Sequence, residues 1–345
     1  MKKANRIGIL EGGSSAEAEV SRSSAAKINE ALKAQGYETM LIDIGQTQLT
    51  DQILAFRPDV IFPALHGPVG EDGTIQGFLE ILAIPYVGSN VRGSALAMDK
   101  SVSKKIFDSL AIPTAAGIMV DELPISMNSL QQNIEENLGE KIVIKPVNQG
   151  SALGVEIVSD LSDLKTRLTR SLDYGPCLIE SFIEGREITV GVLDIGGHPK
   201  PFPVIEVVTP ENEWYNFTNR YGKNLSEHII PASLPASVSK RLQDFAISAH
   251  KGLGLRDLSR ADFIVSGEGE LVILEVNTLP GESMSTESVY IICTKTEVKP
   301  IDNIQSIGTS VPVLSQDSEG FIKLQRWLAT IPLNQRVERN LVYHN

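Results

Sequence analysis

Apolar residues along positions 6–90 fall in short continuous runs, broken by polar turns and by stretches of helical spacing. Ile7–Leu10 reads as a strand, and Gly12-Gly13-Ser14-Ser15 as the turn that ends it. Ser21 is placed to cap a helix carrying Ala25, Ile28 and Leu32 on one face. Tyr37–Ile44 predicts a second strand, Leu49–Phe56 a short helix, and Val60–Leu65 a third strand, apolar throughout. Strands and helices in alternation predict a doubly wound parallel sheet with ligand loops at its strand ends. After the third strand, His66–Gly73 brings three glycines, which let backbone turn sharply or approach a ligand closely, and a helix starts at Thr74.

Beyond this sheet the pattern changes. Residues 99–184 predict a smaller α+β unit: a helix over Ser101–Leu110, strands over Lys141–Lys145 and Cys177–Phe182, and a Gly/Ser turn over Asn148–Gly154. Residues 185–345 open with a strand, Arg186–Leu193, and contain a polar, aromatic-marked loop at about 209–228. The apolar run Leu271–Leu274 then leads into Glu275-Val276-Asn277-Thr278. Period-two geometry puts Glu275 and Asn277 on one face, and Asp262, on a second short apolar segment, is placed to pair beside them. The expected domains are therefore 1–98, 99–184 and 185–345, with an atypical tail from about 289 and a candidate helix at Phe321–Leu328.

Composition narrows the chemistry. A net charge of −12 argues against nucleic acid, whose phosphates demand a basic face, but leaves room for a nucleotide served by a few lysines and a metal ion. No apolar run approaches a membrane span, and the one behind Met1–Arg6 is too short for a secretory leader. Two cysteines, Cys177 and Cys293, make no disulfide framework, so a reduced cytoplasm is expected.

Asp262, Glu275 and Asn277 offer two carboxylates and an amide oxygen, a hard set that Mg2+ uses when phosphate supplies its other ligands. The same residues also read as a strand ending in a polar turn. Gly150-Ser151-Ala152-Leu153-Gly154 is a hairpin turn or a loop whose N–H groups meet phosphate, and Lys145 a strand terminus or a phosphate ligand. Ile179–Glu187 is a solvated acidic turn or an interlobe linker that holds an adenine, with Glu187 reaching a ribose. His66 and Glu17 both sit at the ligand-bearing edge of the first sheet; His66 reads as a structural histidine or a ligand-site residue, and Glu17 as the partner of a substrate ammonium or as part of a solvated helix entry. Tyr215–Lys223 reads as a lid, or as a plain surface loop. A dinucleotide-binding dehydrogenase is disfavoured, because Glu11-Gly12-Gly13-Ser14-Ser15 lacks the three-glycine pattern.

Taken in order, these segments resemble the D-alanine–D-alanine ligase family, of the ATP-grasp fold. The match runs through Gly12–Glu17 with Val20-Ser21, His66-Gly67 with Gly70–Gly73 and Gln76-Gly77, then Met98-Asp99-Lys100 and Lys145-Pro146. It continues through Gly150-Ser151, Gly185-Arg186-Glu187, Pro231-Ala232, Arg260-x-Asp262-Phe263 and Glu275-x-Asn277-Thr278-x-Pro280-Gly281, about four-fifths of the chain.

The resemblance implies an α/β chain, its N-terminal parallel sheet followed by two α+β lobes that sandwich ATP. It implies ATP-driven joining of two amino acids, D-alanine foremost, through an acyl phosphate, for peptidoglycan precursor synthesis. It also implies Mg2+, commonly two ions for which Mn2+ can substitute, and a homodimer. By the same resemblance Lys100 and Lys145 contact phosphates, with Arg220 on the lid. Glu180, Phe182 and Ile183 line the adenine pocket, and Glu187 meets the ribose. Asp262, Glu275 and Asn277 hold the metal. Glu17 pairs with the first substrate's ammonium and is linked through Ser151 to Tyr221. Arg260 and the N–H of Gly281 form the oxyanion hole, while His66, Tyr215 and Ser288 bind substrate.

The sequence departs from the family in four places. Arg220 stands before Tyr221 where the family has lysine, and Ala152 where a second serine is common. Glu282–Ser288 is longer than its family counterpart and adds two acidic residues, which would repel an acceptor carboxylate. From Val289 the family's terminal helices are not matched. The alternatives are a ligase of the same chemistry with another acceptor in specialised metabolism, and a non-catalytic nucleotide-binding protein.

Overall fold

In a computed structural model, which describes residues 5–210 and 226–280, the first apolar run becomes strand β1 (Arg6–Glu11). Helix α1 (Ala18–Ala34), β2 (Glu38–Asp43), α2 (Leu49–Phe56), β3 (Val60–Pro63), α3 (Thr74–Ile81) and α4 (Val91–Met98) follow. The three strands pair in parallel in the order β2-β1-β3, the doubly wound arrangement expected. Ile9 and Leu10 are fully buried on opposite faces of β1, in separate clusters, because helices cover both sides of the sheet.

One local expectation fails. Ser21 caps nothing: α1 begins three residues earlier, and Ser21 is buried inside it. Its hydroxyl instead accepts from the Gly12 N–H (2.8 Å) and donates to the Ala64 carbonyl (2.5 Å). These bonds tie the first glycine turn to the end of β3, so a tertiary demand for buried backbone partners takes the hydroxyl away from capping.

The second sheet is antiparallel, in the order β4-β7-β5-β6. Helix α5 (Lys100–Ser109) precedes β4 (Gly117–Val120), and then come α6 (Met127–Asn137), β5 (Ile142–Pro146), β6 (Glu156–Val158), α7 (Leu164–Leu172) and β7 (Cys177–Ser181). The helix expected at Ser101 starts at Lys100, because Asp99 caps it, accepting from the N–H groups of Ser101 (2.9 Å) and Val102 (3.0 Å). Ile134, Ile142, Ile144, Leu168 and Ile179 form the core of this layer. Cys177 lies free and buried there, and Cys293 falls outside the described residues.

The third sheet has six strands: β8 (Gly185–Ile195), β9 (His198–Pro201), β10 (Ile205–Val208), β11 (Glu227–Ile229), β12 (Leu258–Ser266) and β13 (Leu271–Asn277). Helix α8 (Ala236–Gly252) packs on it through Leu242, Ala246 and Ala249. Phe107 of α5 is fully buried in this same cluster, against the third layer rather than the second. That packing brings the start of α5, with Lys100, up to the end of β13. The atypical tail from about 289, the candidate helix at Phe321–Leu328 and most of the 209–228 loop lie outside the described residues.

Candidate active site

Strands β12 and β13 run antiparallel, with Arg260 opposite Asn277 and Asp262 opposite Glu275. Cross-strand partners project to the same side, so one face carries all four polar groups while Ala261 and Phe263 point into the core. The register shifts just after Asp262, leaving Leu274 as the extra residue of a bulge. Both Leu274 and Glu275 thereby line the cleft.

Asp262 receives a fork from Arg260, with Nε and Nη2 each at 2.9 Å, the Thr189 hydroxyl at 2.6 Å and the Asn277 amide at 3.1 Å. Glu275 lies 3.1 Å from the Lys100 ammonium, which also donates to the Gln149 carbonyl at 2.7 Å. No group of three or more His, Cys, Asp or Glu side chains converges among the described residues. The donor set is therefore two carboxylates and an amide, too few for a Mg2+ ion alone and right in chemistry for one completed by phosphate oxygens. That both carboxylates already draw cations to themselves, Arg260 and Lys100, shows that the spot favours positive charge.

A cavity of about 480 Å3 separates the second and third sheets. Lys100, Lys145, Glu180, Phe182, Ile183 and Glu187 all line it, as does Glu275. Phe182 and Ile183 occupy the short linker from β7 to β8, and Glu187 follows in β8. The Lys141 ammonium lies 3.7 Å over the Phe182 ring. Glu180 is buried and takes Lys104 on one oxygen and Lys145 on the other. Burial pushes the Lys104 amine below its ordinary range, against the pull of Glu180. Sequence reasoning did not single out Lys104. Its signal was its place one helical turn after Lys100, but its partner is 76 residues away.

The other end of the site is built from the glycine loops. Glu17 is buried and accepts a hydrogen bond from the Ser151 hydroxyl. Gly67 has φ +70, and a Cβ there would stand 2.4 Å from Glu17 Oε2; one on Gly150 would stand 3.1 Å from the same oxygen. Glycine at both positions is what lets the two loops close on this carboxylate. His66 is buried against Ser24, whose hydroxyl is 3.2 Å from Nε2. Burial, with the Arg260 charge adding to it, pushes its pKa down to about 4 against a backbone hydrogen bond at Leu279.

Glu71, a member of the second glycine motif to which the sequence assigns no role, bridges the two halves of the site. Its carboxylate accepts from the N–H groups of Gly67 (2.8 Å) and Leu279 (3.3 Å). Burial first, then the charge of Glu17, pushes its pKa up to about 8. A small cavity of about 20 Å3, lined by Glu71, Lys100, Gly150, Glu275 and Asn277, lies between the glycine loops and the acidic strand. Tyr215, Arg220, Tyr221, Gly281 and Ser288, with the Glu282–Ser288 insertion, lie outside the described residues.

Comparison with known proteins agrees with this geometry. The sequence profile described as "D-ala D-ala ligase C-terminus" matches residues 106–304, and that of "D-ala D-ala ligase N-terminus" matches residues 46–89. A D-alanine–D-alanine ligase of Desulforudis audaxviator is 41% identical over 278 residues, 80% of this chain and 89% of that one. One from Geobacter sulfurreducens is 41% identical over 280 residues, 81% and 85% of the two chains. The crystal structure of D-alanine–D-alanine ligase from Bacillus anthracis complexed with ATP is similar at a TM-score of 0.68 and 32% identity, covering 82% of this chain and 89% of that one. VanG D-Ala:D-Ser ligase from Enterococcus faecalis gives 0.72 and 26%, covering 94% and 99%.

Proposed function

The chain belongs to the D-alanine–D-alanine ligase family, and from that premise we propose how its own residues join two D-alanine molecules into D-alanyl-D-alanine. It is an ATP-dependent, ADP-forming ligase of the ATP-grasp fold, and its product serves peptidoglycan precursor synthesis. One observation carries the residue roles: Glu275, the cross-strand partner of Asp262, lines both the interlobe cleft and the small cavity that Glu71 and Gly150 line beside Glu17.

A carboxylate is a poor electrophile until a phosphoryl group converts it to an acyl phosphate, and catalysis of that transfer is mostly positioning and charge. Phe182 and Ile183 with Glu180 take the adenine, and Glu187 takes the ribose. Lys100 and Lys145 hold the phosphates, and Arg220 adds a third positive charge to them. Asp262, Glu275 and Asn277 would hold Mg2+, which supplies charge to offset the phosphates when bound.

Glu17 pairs with the ammonium of the first D-alanine, and Ser151, with Tyr221 as its further partner by the family pattern, fixes its orientation. Arg260 and the N–H of Gly281 steady the oxyanion that forms when the second amine attacks. His66, Tyr215 and Ser288 shape the substrate pockets. His66 is held neutral by burial, so it acts through hydrogen bonds rather than charge.

Among the described residues no helix is long and apolar enough to cross a membrane. The family resemblance, not that absence, supports a cytoplasmic homodimer. The test is phosphate release that requires ATP and Mg2+, against D- and L-amino acids singly and in pairs, with products identified by mass. D-Alanyl-D-alanine as main product is expected. The extra acidic residues Glu282 and Glu287 favour, as a second reading, an acceptor other than D-alanine, so the panel includes D-serine. ATP bound without turnover across the whole panel would leave the non-catalytic alternative.

A further inference from the structure

We propose that Lys104 is a positioning residue for the nucleotide, keeping Glu180 neutralised when Lys145 leaves that carboxylate for the triphosphate. This role rests on ATP occupying the interlobe cleft. Glu180 is 4% exposed, and its two oxygens are divided between two ammoniums, Lys104 on Oε1 and Lys145 on Oε2. The two lysines are not equivalent. Lys145 and Glu180 line the cleft, whereas Lys104 does not and is anchored behind it by the Ala115 carbonyl at 2.5 Å. Only Lys145 faces the place where phosphates would lie.

An ammonium already committed to a buried carboxylate is a poor phosphate ligand. Moving it away from a lone partner would strand that carboxylate in a low-dielectric wall, a heavy penalty. With Lys104 behind the wall, Glu180 keeps a charge-assisted partner and Lys145 can change hands. The triad of two ammoniums and one carboxylate also carries a net positive charge, the sign a triphosphate needs. Lys100 likewise has a second partner, the Gln149 carbonyl, besides the Glu275 carboxylate.

The test uses the full-length protein with Lys104→Met, and with Lys104→Arg as the charge-conserving control. Dissociation constants for ATP, ADP and adenosine are measured in Mg2+ by calorimetry, with a thermal melt for each variant. The expected result is ATP and ADP binding weakened by about tenfold or more in Lys104→Met, the effect of removing one charge-assisted hydrogen bond, with adenosine binding within about twofold of the parent. Lys104→Arg should recover most of the affinity, since it keeps the charge that Glu180 requires. Adding Glu180→Gln to Lys104→Met removes the carboxylate that would trap Lys145, and should return the ratio of adenosine to ATP dissociation constants towards the parent's. The double variant leaves no stranded buried charge, so it keeps the test alive should Lys104→Met not fold.

A parental ratio in folded Lys104→Met would overturn the proposal. So would a double variant whose ratio stays as low as the single variant's, because Lys104 would then act on the phosphates directly. A parent protein that binds no ATP defeats the nucleotide reading itself, and is told apart because the failure precedes any substitution.

Discussion

The two ends of the cleft meet their charges in opposite ways. At the nucleotide end the cations lie on carboxylates of the site: Lys100 on Glu275, Lys145 on Glu180, Arg260 on Asp262. At the glycine-loop end Glu17 takes a serine hydroxyl between two glycine loops, and Glu71 takes two backbone N–H groups. On the proposed reading the first arrangement is a set of exchangeable partners, which ligand phosphates and metal displace. The second is fixed geometry, which on the same reading gives a substrate ammonium a counter-charge already placed. Exchange suits ligands that arrive charged and leave charged differently, as ATP and ADP do. Fixed geometry suits a small substrate whose selection depends on shape.

Glu275→Gln should break the exchangeable end most severely. It removes one of two carboxylates offered to Mg2+ and the partner of Lys100, so turnover should fall on the order of a thousandfold while the fold survives. Phosphate release at saturating Mg2+, set beside a thermal melt, checks this, and full activity would sink the metal assignment.

At the fixed end Glu17→Ala should raise the KM for the first D-alanine by about tenfold or more and leave that for ATP within about twofold, since only one end loses its anion. Equal KM values for variant and parent would remove Glu17 from substrate binding.

The neutral histidine of the fixed end gives a pH signature. His66 has a folded pKa of about 4 against an ordinary 6.5, so its contribution is fully present above pH 6.5 and lost as pH falls towards 4. The loss amounts to on the order of 3 kcal/mol. Glu71 acts in the opposite sense: with its pKa raised from 4.5 to about 8, its contribution is present below 4.5 and lost as pH rises through 8. Urea midpoints from pH 7 to 4 should therefore fall less steeply for His66→Gln than for the parent, and identical slopes would contradict a buried neutral imidazole.

The smallest expected effect concerns the frame that holds both glycine loops. Ser21→Ala leaves the Gly12 N–H and the Ala64 carbonyl without their partner and should cost about 1–3 kcal/mol. A denaturant midpoint equal to the parent's would show that the hydroxyl is dispensable.

Much of this could be read before any fold was known, where the signal is local. The bounds of α2 and the start of α3 fell where periodicity put them, and Asp262 does pair beside Glu275. What the sequence hid depends on partners far along the chain. Glu71 meets Leu279 across 208 residues, and Lys104 meets Glu180 across 76. Ser21 looked like a cap because capping is the commonest local use of a serine, whereas its buried partners lie in two other loops. Strands β9, β10 and β11 are short, three or four residues each, and only partly apolar, so no periodicity announced them.

The measurement that tests the central claim most directly follows oxygen rather than rate. With D-alanine labelled with heavy oxygen in its carboxylate, phosphoryl transfer joins a labelled oxygen to phosphorus, and amine attack then breaks the bond from that oxygen to carbon. Activation of the first carboxylate at Arg260, Asp262 and Glu275 predicts one heavy oxygen in each phosphate released, alongside D-alanyl-D-alanine. Phosphate free of label, released at the same rate, would show that ATP is hydrolysed by water and that the ligase account is wrong.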